Sequence, residues 1–259
     1  MPELPDLQVF AGNLTKKLKG KKIDKITIAP KAKLNVTPAS FKKALKNAAL
    51  KKIEREGKEL YFYFNNKKVM AIHLMLHGKL FLFQKKNEQK HTLAEFYFTD
   101  DTGLVLTDYQ KKANITLDPA EKEAPDALSS EVNYSFLKKL LSGKRTNIKT
   151  LLMDQKLIRG IGNAYADEIL WSAGISPLSI SNKIPDAKIK SLAKSIKSVL
   201  QKAEKQIKKE DPDIINGEIR DFLMIHNADK KISPKGGQIH SEMVNSRITY
   251  YTDEQQLYK

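Results

Sequence analysis

The chain changes its hydrophobic rhythm along its length. Residues 6–19 (DLQVFAGNLTKKLK) place Leu7, Phe10, Leu14 and Leu18 three or four positions apart, which predicts one face of an amphipathic helix. After Gly20 the period shortens. KIDKITIA, LKKIERE, ELYFYFN, VMAIHLML, KLFLFQ, AEFYFTD and GLVLTD are short runs rich in β-branched and aromatic residues. Turn residues such as Asn65-Asn66 and Asp100-Asp101-Thr102-Gly103 separate them, which predicts strands in two packed sheets. Residues 118–132 (DPAEKEAPDALSSEV) are polar, hold two prolines and read as a linker. Helical periods then run through YSFLKKLLS, NIKTLLMDQ, AYADEILWSA, AKIKSLAKSIKSVLQKAEKQIKK and IINGEIRDFLMI. From Ser233 the pattern alternates again, through Gly236-Gly237 and RITYY, and predicts a β-hairpin. The expected class is α+β. An N-terminal helix and β-sandwich domain spans 1–117, a linker 118–132, a helical domain 133–232 and the hairpin 233–259.

Composition narrows the partner. The net charge is +16, from 46 Lys and Arg against 30 Asp and Glu, and the excess is spread along the chain. Dispersed positive charge on a folded protein suits a polyanion, most often nucleic acid. A lysine-rich compositional bias is the alternative, and most lysines of the long helix form a solvated face. There is no Cys, which excludes disulfides, thiolate catalysis and thiolate metal sites. None of the five His falls in HExxH or a comparable ligand spacing, so neither a metal nor a cofactor is expected. No apolar run approaches the ~20 residues of a membrane span. The first residues lack a secretory signal. An intracellular monomer with no membrane partner is expected, cytoplasmic or at the nucleoid if bacterial.

Two short segments carry candidate chemistry. The chain opens Met1-Pro2-Glu3-Leu4-Pro5-Asp6. Removing the initiator Met exposes Pro2 as a secondary amine, and an α-amino group titrates near ~8, well below Lys. Such an amine is a nucleophile at neutral pH, and attack on a sugar C1′ gives an iminium ion that serves as an electron sink. Glu3 stands beside it as an acid or base. A stiff, unreactive N-terminal arm is the plain alternative. The second segment, Asp154 to Glu168 (DQKLIRGIGNAYADE), joins two helical periods. Gly160 and Gly162 allow a tight turn, and Asn163 is a suitable N-cap for the next helix. A helix N-terminus in a basic protein suits phosphate.

These segments carry a resemblance. IKTLLMDQKLIRGIGNAYADEILWSAGISP is similar to the helix–two-turn–helix (H2TH) signature of the formamidopyrimidine-DNA glycosylase/endonuclease VIII (Fpg/Nei) family. MPELPD resembles that family's catalytic N-terminus, Glu56-Gly57-Lys58 its lysine turn, and His73-Leu-Met-Leu-His-Gly78 its HLGMxG loop. The resemblance implies a bifunctional DNA glycosylase and AP lyase of base excision repair, acting on double-stranded DNA with damaged bases or abasic sites. It implies Pro2 as the nucleophile, Glu3 as the acid or base, and Lys58 as a phosphate contact supporting the transition state. Lys149, Asn163 and Arg247 would bind backbone phosphates. Asp6 and Glu168 would support the site.

The departures are informative. RITYYTDEQQ resembles half of the family's zinc finger, with Thr252 and Gln255 where cysteines would stand, so the hairpin reads as a zincless finger. Ile239, Ile248 and Tyr250 are the apolar residues expected to hold it. Leu76 stands where the family inserts a Met wedge. Asp108-Tyr-Gln-Lys-Lys-Ala113 stands for the DPRRFG loop, with Gln110 for the first Arg and Lys112 for the Phe. Gln110 can bond an orphaned base, whereas Lys112 cannot stack on one. The altered loop keeps one alternative in view, and the charge with the GIGN turn keeps another that leaves the N-terminus unexplained. The first is a lesion- or structure-specific DNA-binding protein with little base excision, and the second an RNA-associated helix–turn–helix protein.

Overall fold

The first helix, α1 (Leu4–Leu18), starts two residues before its apolar period because its first turn is capped from both sides. The Glu3 carboxylate accepts the Asp6 N–H, and the Asp6 carboxylate accepts the Glu3 N–H at 2.8 Å. This reciprocal capping box satisfies two donors that a helix start otherwise leaves open. Pro5 lies in the first turn, where a missing N–H is tolerated. The predicted face is the buried one: Leu7, Phe10, Leu14 and Leu18 are all sealed in the core. The structure, a computed structural model, describes residues 1–259.

Nine strands follow in two sheets. They are β1 (Ile23–Ile28), β2 (Lys33–Leu34), β3 (Leu50–Glu56), β4 (Glu59–Phe64), β5 (Val69–His73), β6 (Lys79–Gln84), β7 (Thr92–Phe98), β8 (Thr102–Thr107) and β9 (Asn114–Leu117). One sheet has the order β2-β9-β5-β4-β3 and the other β1-β7-β8-β6. Only β2–β9 is parallel. A short helix α2 (Pro38–Leu45), capped by Thr37, lies between β2 and β3 and buries Phe41 and Leu45. The edge of β3 is covered by α1. The Thr15 hydroxyl donates to the Ile53 carbonyl at 3.0 Å and accepts the Ile53 N–H at 2.8 Å. A strand edge that would otherwise invite pairing is thereby closed.

The remaining chain forms α3 (Tyr134–Ser142), α4 (Ile148–Met153), α5 (Asn163–Ala173), α6 (Asp186–Glu210) and the hairpin β10 (Ile239–Val244) with β11 (Arg247–Thr252). The chain divides into two compact units. One comprises 1–121 with 207–218, and the other 122–206 with 219–259. These boundaries differ from those expected. Residues 207–218 join the first unit, where Ile207 is buried. Asn13 Nδ2 donates to the Ile214 carbonyl at 2.8 Å, and Lys17 pairs with Asp213 at 2.7 Å. Most of the predicted linker is laid onto the second unit. Ala127 and Val132 are buried, and the Ala127 N–H donates to the Arg159 carbonyl at 2.9 Å.

One predicted helix is absent. Residues 214–225 (IINGEIRDFLMI) form turns and bends, with Gly217 at φ +82. Ile214, Leu223 and Ile225 are buried without a helix, and Met224 is 44% exposed. The N–H groups of Met224, Ile225 and His226, which a helix would use internally, go instead to the Glu168 carboxylate at 2.9, 2.8 and 2.8 Å.

Candidate functional site

In the first unit the N-terminus and the lysine turn are set by local geometry. Pro2 and Glu3 are buried at the start of α1. The Met1 ammonium pairs with the Glu218 carboxylate. Asp6, expected as site support, acts through the capping box: it fixes the backbone of Glu3, and its shorter side chain still reaches the Glu3 N–H. Lys58 lies in the two-residue turn of the β3–β4 hairpin, between the paired Glu56 and Glu59. Gly57 takes φ +57 there, a conformation open to glycine at little cost.

Three loops leave one end of the four-stranded sheet. Lys79 pairs with Thr107, and Thr92 also pairs with Thr107. Residues 73–78, His91 and 108–113 therefore emerge side by side. Gly78 closes the first loop by donating to the Leu74 carbonyl at 2.9 Å. A Cβ at Gly78 would lie 2.2 Å from that same oxygen, so no other residue fits. Leu76 is left 56% exposed at the tip. In the 108–113 loop, the buried Asp108 carboxylate accepts the N–H groups of Gln110 at 2.9 Å, Lys112 at 2.7 Å and Ala113 at 2.8 Å. Burial pushes the Asp108 pKa up, but these donors outweigh it and hold the carboxyl below its ordinary value. Gln110 and Lys112 are exposed on this loop.

In the second unit the turn between α4 and α5 is pinned by one side chain whose residue type gives no signal in the sequence. The Gln155 carboxamide donates to the Met153 and Ile161 carbonyls at 2.8 and 2.9 Å and accepts the Gly160 N–H at 2.9 Å. Gly160 takes φ +106. Asn163 is not the N-cap that its residue type suggested. Gly162 caps α5 and Asn163 is the first helical residue. Its Nδ2 is thereby released to donate to the Ile248 carbonyl of β11 at 3.0 Å.

Lys149 differs most from expectation. Its side chain is only 2% exposed and its ammonium is turned inward. It pairs with Asp167 Oδ1 at 2.8 Å and donates to Thr249 Oγ1 at 2.8 Å. Asp167 also accepts the Tyr250 N–H at 3.0 Å, and its Oδ2 lies 2.7 Å from His226 Nδ1. One buried carboxylate thus ties α4, α5, β11 and the loop at His226. Glu168 beside it is a loop anchor, and burial drives its pKa up against the three amide donors already described. A signal for both acids was present: they are the only charges in the otherwise apolar segment AYADEILW, and buried charge requires partners.

Arg247 is exposed and follows the hairpin turn Asn245-Ser246, whose φ angles are +47 and +60. Two positive φ values suit the twist of a tight hairpin. Asn245 Nδ2 donates to Thr150 Oγ1 at 2.7 Å and anchors the turn to α4. Lys149, Asn245 and Arg247 border a hollow of about 260 Å³. Of the apolar residues expected to hold the hairpin, Ile239 and Tyr250 are half-buried, and the Tyr250 ring packs edge-on against His226 at 4.9 Å. Ile248 is 50% exposed, whereas Thr249 and Thr252 are buried. Thr249 is buried where it meets the Lys149 ammonium and Thr252 where its hydroxyl meets Glu254, and Ile248 is left out.

A carboxylate organises the far end of the hairpin. Glu254 accepts from Trp171 Nε1 at 2.8 Å, from the Ser233 hydroxyl at 3.0 Å, from the Thr252 hydroxyl at 3.0 Å and from the Gly237 N–H at 3.2 Å. A Cβ at Gly237 would meet the Glu254 side chain at 2.7 Å, so a larger residue would push the carboxylate off its donors. Desolvation raises the Glu254 pKa, but its donors prevail and hold it below the ordinary value of 4.5. A depressed folded-state pKa contributes stability above 4.5 that is lost as pH falls through the folded value. Amide exchange at 233–256, measured against the intrinsic rate at each pH, should therefore be slow at neutral pH and become faster below that range. Glu254→Ala should accelerate it at every pH, and chelators should not.

Comparison with known proteins agrees with this arrangement. The formamidopyrimidine-DNA glycosylase N-terminal domain matches residues 1–115, and the formamidopyrimidine-DNA glycosylase H2TH domain matches 124–211. The chain is 38% identical over 217 residues to the formamidopyrimidine-DNA glycosylase of Lactobacillus gasseri, covering 80% of this chain and 78% of that one. It is 30% identical to that of Mycoplasma mobile, with 97% of each chain covered. Among solved structures, Lactococcus lactis Fpg in complex with DNA containing an abasic site superimposes with a TM-score of 0.89 at 26% identity, covering 98% of this chain and 100% of that one. A mutant of the same enzyme bound to Fapy-dG-containing DNA gives the same TM-score of 0.89. Matched through both its N-terminal and H2TH domains, this cysteine-free chain belongs to the formamidopyrimidine-DNA glycosylase family.

Proposed function

We propose that this chain is a DNA glycosylase of base excision repair that also cuts the strand as an AP lyase. The observation that carries this reading is the capped, buried Pro2-Glu3 start of α1 in a chain of this family. Once Met1 is removed, the Pro2 nitrogen attacks C1′ of the damaged nucleotide. The N–C1′ bond forms as the glycosidic bond breaks, and the base leaves with a proton. Glu3 supplies a proton to the sugar-ring oxygen, which opens the ring to an iminium ion. The iminium acidifies the C2′ hydrogen. Loss of that proton expels the 3′ phosphate by β-elimination, δ-elimination releases the 5′ phosphate, and water then frees Pro2. No step calls on a metal or cofactor. Lys58, at the hairpin tip, steadies a phosphate beside the lesion.

Asn163 and Arg247 bind the backbone, and Lys149 acts with them by setting the position of β11. The partner is duplex DNA with damaged bases or abasic sites, bound by a monomer inside the cell. No helix is long and apolar enough to cross a membrane.

Incubating the native chain with duplexes carrying formamidopyrimidine, 8-oxoguanine or an abasic site, with and without borohydride, tests this reading. Cleaved strands and a trapped protein–DNA adduct are expected. Tight lesion binding with neither product would favour the binding-only alternative, which the substituted DYQKKA loop keeps in view. Arg247→Ala should weaken lesion binding with little loss of fold stability, because its side chain is exposed. It should also lower the slope of log affinity against log salt by about 0.9, the value for one lost phosphate contact. An unchanged slope would remove Arg247 from the interface.

A further inference from the structure

We propose that the ring pair Tyr109–His77 is a stacking site for the nucleobase left unpaired when a damaged base leaves the duplex. This rests on the glycosylase reading above. Tyr109 is 55% exposed, and its ring lies 4.6 Å from that of His77 at a 42° tilt. His91 meets Tyr109 from another side, edge-on at 6.4 Å. These three rings come from the three loops that emerge at one end of the four-stranded sheet. Leu76, next to His77, is the other large apolar side chain exposed at that end.

The pair is built rather than incidental. Both loops are closed by their own hydrogen bonds. Asp108, one residue before Tyr109, accepts three backbone N–H groups. Its own N–H donates to the His91 carbonyl at 3.0 Å, and the Gly78 N–H donates to Leu74. The Met75 N–H donates to His73 Nδ1 at 3.0 Å. An aromatic ring held in the open by a rigid loop loses little entropy when a flat partner covers it. Every nucleobase offers a π-face, so an exposed aromatic ring suits a base of any identity.

Chemistry then selects the position. Extruding a base leaves a hole in the stack, and proteins fill such holes with apolar wedges and rings. Gln110, Lys111 and Lys112 follow on the same loop and offer charge or an amide, but no ring. Tyr109 is therefore the one residue of the loop that can supply stacking, with Leu76 as the wedge beside it. His77 backs the ring and keeps it from collapsing onto the surface.

The test compares affinity for a duplex containing a tetrahydrofuran abasic analogue with affinity for the intact duplex. Tyr109→Ala should lower that ratio by about tenfold, the scale of one lost base–aromatic stack. Tyr109→Phe should keep it. His77→Ala should lower it in part, and the double variant should be no worse than Tyr109→Ala alone, because the rings act as a unit. Thermal midpoints should not move, since Tyr109 is exposed. An unchanged ratio in Tyr109→Ala, or a Phe variant as poor as the Ala one, would overturn the stacking site and leave the glycosylase reading intact. A native chain that does not prefer the abasic duplex would overturn both.

Discussion

A blocked N-terminus should abolish borohydride trapping on abasic DNA while affinity for the same duplex stays nearly intact. Acetylation, an uncleaved tag or retained Met1 each turns the Pro2 nitrogen into an amide, which is not a nucleophile. Nothing else in the site changes. Equal trapping by the blocked chain would assign the chemistry to a lysine, with Lys58 the first to examine. Glu3→Gln tests the proton-transfer step. Its loss should cut base excision by about 10²–10⁴-fold, the usual contribution of a positioned acid or base. The capping box makes this substitution clean: a glutamine carbonyl can still accept the Asp6 N–H, so α1 should keep its first turn. Binding lost with single-turnover chemistry intact would reverse the assignment.

What the sequence makes legible here follows from range. The helix at 6–19 and the strand runs that became β1, β3–β8 and β11 are written in local periods of burial. The N-terminal motif and the GIGN turn are written as short contiguous strings. Features set by distant contacts are not legible in that way. Residues 214–225 carry a helical apolar period, yet their amides are taken by Glu168 from a helix far away in sequence. Lys149 has the residue type of a phosphate contact, but Asp167 and Thr249 capture its ammonium. Ile248 carries an apolar side chain expected to hold the hairpin, yet it is half exposed, while Thr249 and Thr252 are buried against Lys149 and Glu254. Glu254 and Gln155 are ordinary polar residues until three or four partners converge on each. In every case hydrogen-bonding or ion-pair partners decided the outcome, and they lie where no period points.

Lys149→Met should therefore behave as a core substitution and not as the loss of one phosphate contact. The substitution keeps the stem and removes the ammonium. Asp167, fully buried, then loses its lysine partner and keeps only the Tyr250 N–H and His226 Nδ1. Breaking a buried pair from one side costs roughly 3–5 kcal/mol, mostly the uncompensated charge that remains. The same change removes the donor to Thr249, so β11 loosens from α4 and Arg247 is displaced from its place beside the hollow. Unfolding of the second unit should shift strongly, and lesion affinity should fall together with the protection of the hairpin. Adding Asp167→Asn should recover much of the stability, because asparagine is neutral and its carbonyl can still accept the Tyr250 N–H. A surface phosphate contact predicts the opposite: an unmoved unfolding midpoint, a salt slope lower by about 0.9 and no rescue by Asp167→Asn. Calorimetry and salt titration on the two variants separate these outcomes. A Lys149→Met chain that is fully stable but weak on DNA would return the ammonium to the phosphate and leave Asp167 without its proposed role.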